Sequence, residues 1–236
     1  MRLASVAVYQ TFLLDADDTL FDFGSAETSA LKATLAHWDL PCTEDVILRY
    51  KVINFKLWAQ LATGDMTKAE LQTSRFTQMF KELGVSCDPA AFNQAYLHEL
   101  GRRSSLIDGA LEICQDIVAA GGRIYIVTNG LLATQTARFK HSSIRQFISG
   151  VFVSEVIGYE KPDPAFFEYV FAHIPRFDKA KTLLVGDSLK NDIAGGINSG
   201  LDTCWLNPSK APAGPDIVPT YQVSSLLELR RFLPAQ

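Results

Sequence analysis

The sequence predicts an α/β protein: a doubly wound parallel sheet, interrupted by an all-helical insert. Three observations predict it. First, the apolar runs Val6–Leu14, Ile124–Val127 and Thr182–Val185 each stop abruptly at small or polar residues. Continuous aliphatic and β-branched runs of this kind suit strands buried on both faces, the situation of a parallel sheet. Second, helical patterns alternate with apolar runs from Leu106 to Leu206, as βα units do. Third, residues 23–105 carry helical periodicity and no convincing strand.

Taken in order, the first strand ends at Asp15. The insert then reads as four helices over Ser25–Trp38, Glu44–Ala62, Thr67–Leu83 and Pro89–Gly101. Ser25, Thr43, Thr67 and Asp88 are their expected N-caps, since short oxygen-bearing side chains accept from the first free backbone N–H groups. Leu40-Pro41, Thr63-Gly64-Asp65 and Gly84 mark the breaks. Ala110–Ala120 is amphipathic and stops at Gly121-Gly122, a C-terminal helix signal. Val151–Ser154 is a weaker strand. Pro164–His173 follows Asp163, with proline at the first helical position. Asn191–Asn198 ends near Gly200 and feeds a last strand, Leu201–Leu206. The expected organisation is an α/β core over residues 1–22 and 106–236 and a helical cap over 23–105.

Composition narrows the function. The chain has 236 residues, 47% of them hydrophobic, enough for one full core and a second small one. A net charge of −4 with no basic run argues against a nucleic-acid polymer as partner. No apolar stretch is long enough to span a bilayer, so no membrane role is expected. The first ten residues lack the pattern of a secretory signal. Cys42, Cys87, Cys114 and Cys204 form no CxxC pair and read as reduced thiols, which favours a cytoplasmic location. The four histidines show no metal-ligand spacing. Assembly is expected to stop at a monomer or weak homodimer.

The chemistry begins with Asp15 and Asp17. Residues i and i+2 share one side of a strand, so two carboxylates would meet at a buried strand end. Open α/β sheets bind ligands in the crevice at such ends. Two acids there are costly without a proton, a cation or a reaction to account for them. Other strand ends supply Thr128, Asn129 and Gly130, then Asp187 and Ser188 with Asp192 further on, and a loop supplies Lys161. DxDxTLF at Asp15–Phe21, TNG at Thr128–Gly130, GxxKPDP at Gly158–Pro164 and GDSxxxD at Gly186–Asp192 occur in that order. Together they resemble the haloacid dehalogenase-type hydrolases, across nearly the whole chain. Asp18 departs from the pattern, because many members carry glycine there.

The resemblance implies a Rossmann-like core and a division of labour. Asp15 would be the nucleophile that forms an aspartyl-phosphate, and Asp17 the general acid–base. Thr128, Asn129, Gly130 and Lys161 would bind the phosphoryl oxygens. Three carboxylates would repel a phosphate dianion, and an all-oxygen ligand set favours magnesium as the cofactor. Asp15 and Asp187 would coordinate it through side chains and Asp17 through its backbone carbonyl. Asp192 and Ser188 would support those ligands and Lys161 from behind.

Asp192–Asn207, Pro219–Leu226 and the insert phrase Asn54–Trp58 are similar to a narrower branch, the bacterial pyrimidine nucleoside 5′-monophosphatases. Asn54, Lys56, Trp58 and Arg75 are therefore candidate contacts to substrate from the cap. Each has a plainer alternative: aromatic side chains on helices pack in cores, and an arginine forms an exposed ion pair. The expected substrate is a small phosphorylated metabolite, a nucleoside monophosphate first. A sugar phosphate, acylneuraminate 9-phosphate or phosphoglycolate is the alternative. A haloacid dehalogenase, a phosphomutase and a non-catalytic binding module stand further off, the first because its reaction has no leaving oxygen for Asp17 to protonate.

Overall fold

A computed structural model describes residues 8–234, which form two compact units. One comprises the chain up to Phe23 together with Ser104 onward; the other is Gly24–Arg103. Val6 and Ala7, assigned to the first strand from sequence, lie outside the described residues.

The first unit is built on six strands: β1 (Thr11–Leu14), β2 (Arg123–Thr128), β3 (Ile148–Val153), β4 (Thr182–Gly186), β5 (Asp202–Leu206) and β6 (Tyr221–Val223). Their order in the sheet is β3-β2-β1-β4-β5-β6, and every pair is parallel. The chain therefore winds outward from β1 to β3, then returns to the other side of β1 and winds outward again. The reversal falls between β1 and β4. At such a switch point the connections leave the strand ends in opposite directions and open a crevice at their carboxyl ends.

Burial on both faces explains the apolar strands. Phe12, Leu14, Ile124, Ile126, Leu183 and Val185 face one core, filled by Ile113, Cys114 and Ile117. Leu13, Tyr125, Val127 and Leu184 face the other, filled by Phe166, Phe167 and Val170. These fillers come from α5 (Ala110–Ala119) and α8 (Pro164–His173), the latter capped by Asp163 as expected. Burial pushes the Cys114 and Cys204 thiols up to about 12. All four cysteines are free.

The second unit holds α1 (Phe23–His37, its first residue shared with the sheet unit), α2 (Glu44–Ala62), α3 (Lys68–Leu83) and α4 (Pro89–Gly101). Thr43, Thr67 and Asp88 each accept a backbone N–H at the start of their helices. Ser25 is a correction: α1 begins two residues earlier, which puts Ser25 inside the first turn and not at its cap. The core of this unit is aromatic, with Tyr50, Phe76, Phe80, Phe92 and Tyr96 in mutual ring contact.

Not every element was visible in the sequence. α6 (Leu132–His141) is largely polar and has no capping side chain at Leu131. β6 is three residues at the sheet edge. Two short α-helices follow, α7 (Ser154–Ile157) and α9 (Ala194–Asn198), the latter preceded by a wide helical turn over Leu189–Ile193, and 3-10 turns cover Ser143–Phe147, Lys179–Lys181 and Leu226–Phe232. Among the described residues no helix is long and apolar enough to cross a membrane.

Candidate active site

The strand pairing assembles the site. Register Thr11↔Thr182 through Leu14↔Val185 brings Asp15 beside the end of β4, where its N–H donates to the Val185 carbonyl at 2.9 Å. Asp187 follows β4 directly and Thr128 closes β2. Side-chain oxygens of Asp15, Asp187 and Asp192 can all lie within 4.8 Å of one another. Burial, with Asp15 and Asp192 nearby, pushes the Asp187 carboxyl up to about 8. Three hard oxygen donors in so small a space fit a cation such as magnesium.

Lys161 supplies the one ammonium in this cluster. Its Nζ donates to Asp15 Oδ1 at 2.6 Å, Asp192 Oδ1 at 2.6 Å and the Val127 carbonyl at 2.8 Å. All three donors of the ammonium are thus directed. The lysine is held by Asn129, whose side chain donates to the Lys161 carbonyl at 2.8 Å and accepts from the Lys161 N–H at 2.9 Å. The Asn129 amide therefore fastens the lysine loop to the end of β2, a role its sequence position did not suggest. Gly130 donates its N–H to Thr128 Oγ1 at 3.0 Å.

Asp192 is buried and accepts on both oxygens, from Lys161 and from the Ser188 N–H at 3.1 Å. Its carboxyl is pushed up by burial and held down by Lys161. A Cβ on Gly186 would overlap the Asp192 carboxyl, so only glycine fits at that strand end. Ser188 also accepts from the Asn191 N–H at 3.2 Å, steadying the turn that carries Asp192.

Two further residues position Asp187. Thr19 Oγ1 accepts from the Asp187 N–H at 3.1 Å and donates toward Asp187 Oδ1 at 3.4 Å. Trp205 Nε1 donates to the Asp187 carbonyl at 2.7 Å. Thr19 is part of the DxDxT motif and could have been found from it; Trp205 had no such signal. Asp18 adopts a left-handed backbone, φ 58°, and accepts from the Phe23 N–H at 3.1 Å. A short polar side chain tolerates that conformation through its local hydrogen bond, which reconciles aspartate with a glycine position.

Asp17 turns toward α6. Gln135 Nε2 donates to Asp17 Oδ2 at 2.7 Å, and Arg138 forms an ion pair with Oδ1. Burial pushes the Asp17 carboxyl up, and Arg138 opposes that push. Neither α6 residue was legible as a site residue in the sequence.

The insert residues divide. Asn54 is buried and donates to Glu27 at 2.8 Å. Arg75 is buried too, donating to Asn93 Oδ1 at 2.7 Å with its guanidinium over the Phe76 and Tyr96 rings. The exposed ion pair expected at Arg75 is a correction: the guanidinium is buried and donates to Asn93, while Asn54 Oδ1 and Arg75 Nε are buried with no hydrogen-bond partner among the described residues. Lys56 is exposed and Trp58 half-buried.

These features define a hydrolase of a known family. The haloacid dehalogenase-like hydrolase description matches residues 9–200, and the chain belongs to that family. Among curated proteins it is 42% identical to the HAD-hydrolase YfnB of Bacillus subtilis over 95% of each chain. It is 34% identical to the pyrimidine 5′-nucleotidase PynA of Streptococcus pneumoniae, over 94% of this chain and 93% of that one. With the pyrimidine 5′-nucleotidase YjjG of Escherichia coli it shares 32% over 93% of this chain and 95% of that one. The crystal structure of YfnB bound to magnesium superposes with a TM-score of 0.90 at 41% identity, covering 97% of this chain and 100% of that one.

Proposed function

We propose that the protein is a magnesium-dependent phosphomonoesterase acting through an aspartyl-phosphate, with a pyrimidine nucleoside 5′-monophosphate as substrate. The observation that carries this reading is Lys161, a buried ammonium 2.6 Å from Asp15 at the switch point of the sheet. A carboxylate is a weak nucleophile, so its site must act by position and charge. An ammonium against Asp15 and a threonine hydroxyl at the end of β2 are suited to the three phosphoryl oxygens as charge shifts among them.

The chemistry then follows in two displacements. A carboxylate oxygen of Asp15 bonds to phosphorus while the bond to the leaving oxygen breaks, and Asp17 gives that oxygen a proton. Asp17, now a carboxylate, takes a proton from a water that attacks phosphorus; the Asp15–phosphorus bond breaks and inorganic phosphate leaves. Bound magnesium, held by the Asp15 and Asp187 carboxylates and the Asp17 backbone carbonyl, would neutralise the dianion. Asp192 and the Asn129 amide keep Lys161 in place throughout.

The preference for nucleotides rests on PynA and YjjG, which cover nearly the full chain. We assign choice of leaving group to the helical unit, with Lys56 and Trp58 as the residues to vary. The test is phosphate release from nucleoside monophosphates, sugar phosphates and phosphoglycolate, with and without magnesium. Expected is magnesium-dependent release, fastest with pyrimidine nucleotides. A sugar phosphate turned over faster than every nucleotide would overturn the substrate, and no release from any of them would overturn the activity.

A further inference from the structure

A carboxylate that must give up a proton at one atom needs to be aimed, and the two side chains that touch Asp17 stand three residues apart on α6. Residues at i and i+3 share a helix face, so Gln135 and Arg138 approach the carboxylate together. Arg138 is wholly enclosed, its side chain 0% exposed against 25% for Asp17. Its guanidinium lies 4.3 Å from the centre of the Phe21 ring and 5.8 Å from that of Phe23, which limits its movement. The Gln135 amide reaches two groups at once, Asp17 Oδ2 at 2.7 Å and Thr128 Oγ1 at 3.5 Å. It therefore links the acid–base candidate to a phosphate-binding candidate. Gly130 makes room for it, because a Cβ there would overlap that amide. Neither side chain is needed to cap α6, and a buried arginine is costly unless its charge is answered.

We propose that Gln135 and Arg138 are positioning residues for the proton transfer to the leaving group. The inference rests on the acid role proposed for Asp17. In that step the phosphorus–oxygen bond breaks, its electron pair stays on the leaving oxygen, and the Asp17 proton moves to that oxygen. What remains is a carboxylate with two acceptor oxygens, one facing the Gln135 amide and the other the Arg138 guanidinium. The clamp matches the state of Asp17 after the proton has gone. It contributes to catalysis only where the leaving oxygen needs a proton. An activated aryl leaving group departs without one; an alkyl alcohol does not.

Gln135→Met keeps the volume and removes the donor. Arg138→Lys keeps the charge and removes the planar fork. Single-turnover phosphoryl transfer is measured for both, beside wild type and Asp17→Asn, on 2,4-dinitrophenyl phosphate, a set of less activated aryl phosphates and an alkyl phosphate. Thermal unfolding confirms which variants fold, and either one suffices. The expected loss is about tenfold or more on the alkyl phosphate and under about threefold on the dinitrophenyl ester, with Asp17→Asn steeper still. A uniform loss across the series, or none, in the folded variants overturns the inference if Asp17→Asn remains selective. A uniform loss in Asp17→Asn overturns the acid role itself.

Discussion

Removing the Lys161 ammonium tests the centre of the site most directly. Lys161→Met retains the stem and deletes the charge. In the wild type the ammonium makes two charge-assisted bonds of 2.6 Å, to Asp15 and Asp192. Exposure is 2% for the lysine side chain, 10% for Asp15 and 1% for Asp192, so water cannot replace it. Two such hydrogen bonds at about 1.5–3 kcal/mol each give roughly 3–6 kcal/mol. Breaking a buried ion pair from one side costs about 3–5 kcal/mol by a separate route, because it leaves uncompensated charge. We therefore expect a loss of about 3–5 kcal/mol in magnesium-free buffer. For a unit of this size that corresponds to a fall in Tm of roughly 6–20 °C. The assay is thermal and urea unfolding of wild type, Lys161→Met and Lys161→Met/Asp192→Asn, with phosphate release in parallel. The double variant removes both members of the Lys161–Asp192 pair, leaving Asp15, and should recover part of the stability but no turnover. Millimolar magnesium should stabilise the single variant more than wild type, because a bound cation answers the same carboxylates. A single variant within about 1 kcal/mol of wild type without magnesium, or a double variant with restored turnover, would refute the reasoning.

Asp15→Asn should lower turnover at least about a thousandfold, since it removes the proposed nucleophile, and should cost roughly 1.5–3 kcal/mol for the charge-assisted bond to Lys161 that it weakens; near-normal phosphate release would remove Asp15 from that role. Magnesium affinity should depend on pH, because the Asp187 carboxyl is pushed up to about 8 before the cation arrives and its proton must leave on binding. Titration calorimetry should show affinity rising about tenfold per pH unit below that value and levelling above it, with protons released to the buffer; a flat profile would contradict this. In the helical unit, Thr67 Oγ1 accepts from the Glu70 N–H at 3.3 Å and Glu70 returns the bond to the Thr67 N–H at 2.8 Å. Thr67→Ala should cost about 1 kcal/mol, seen as faster hydrogen exchange at the start of α3, and unchanged exchange would discount the cap.

How much of this was readable beforehand depends on where each residue sits. The strands were legible because both faces of the sheet are covered, which makes Thr182–Val185 and Ile124–Val127 uninterrupted apolar words. Asp15, Thr128 and Asp187 were legible as strand ends for the same reason: an apolar run stops at each. Gln135 and Arg138 were not. They lie on a polar helix without a cap signal, and their partner is more than a hundred residues away. The burial of Arg75 was not legible because a polar residue on a helix suggests solvent, whereas here its partner Asn93 comes from the next helix of the same unit. The edge strand β6 is too short for alternation to show.

The reversal of strand order between β1 and β4 has a consequence for assembly. Asp15 and Asp187 become neighbours only through the register Thr11↔Thr182 to Leu14↔Val185. A polypeptide cut in the connection after α8 would leave the proposed nucleophile on one fragment and Asp187 and Asp192 on the other. Neither fragment holds a whole site, so turnover on mixing would report the docking of one edge of the sheet against the other.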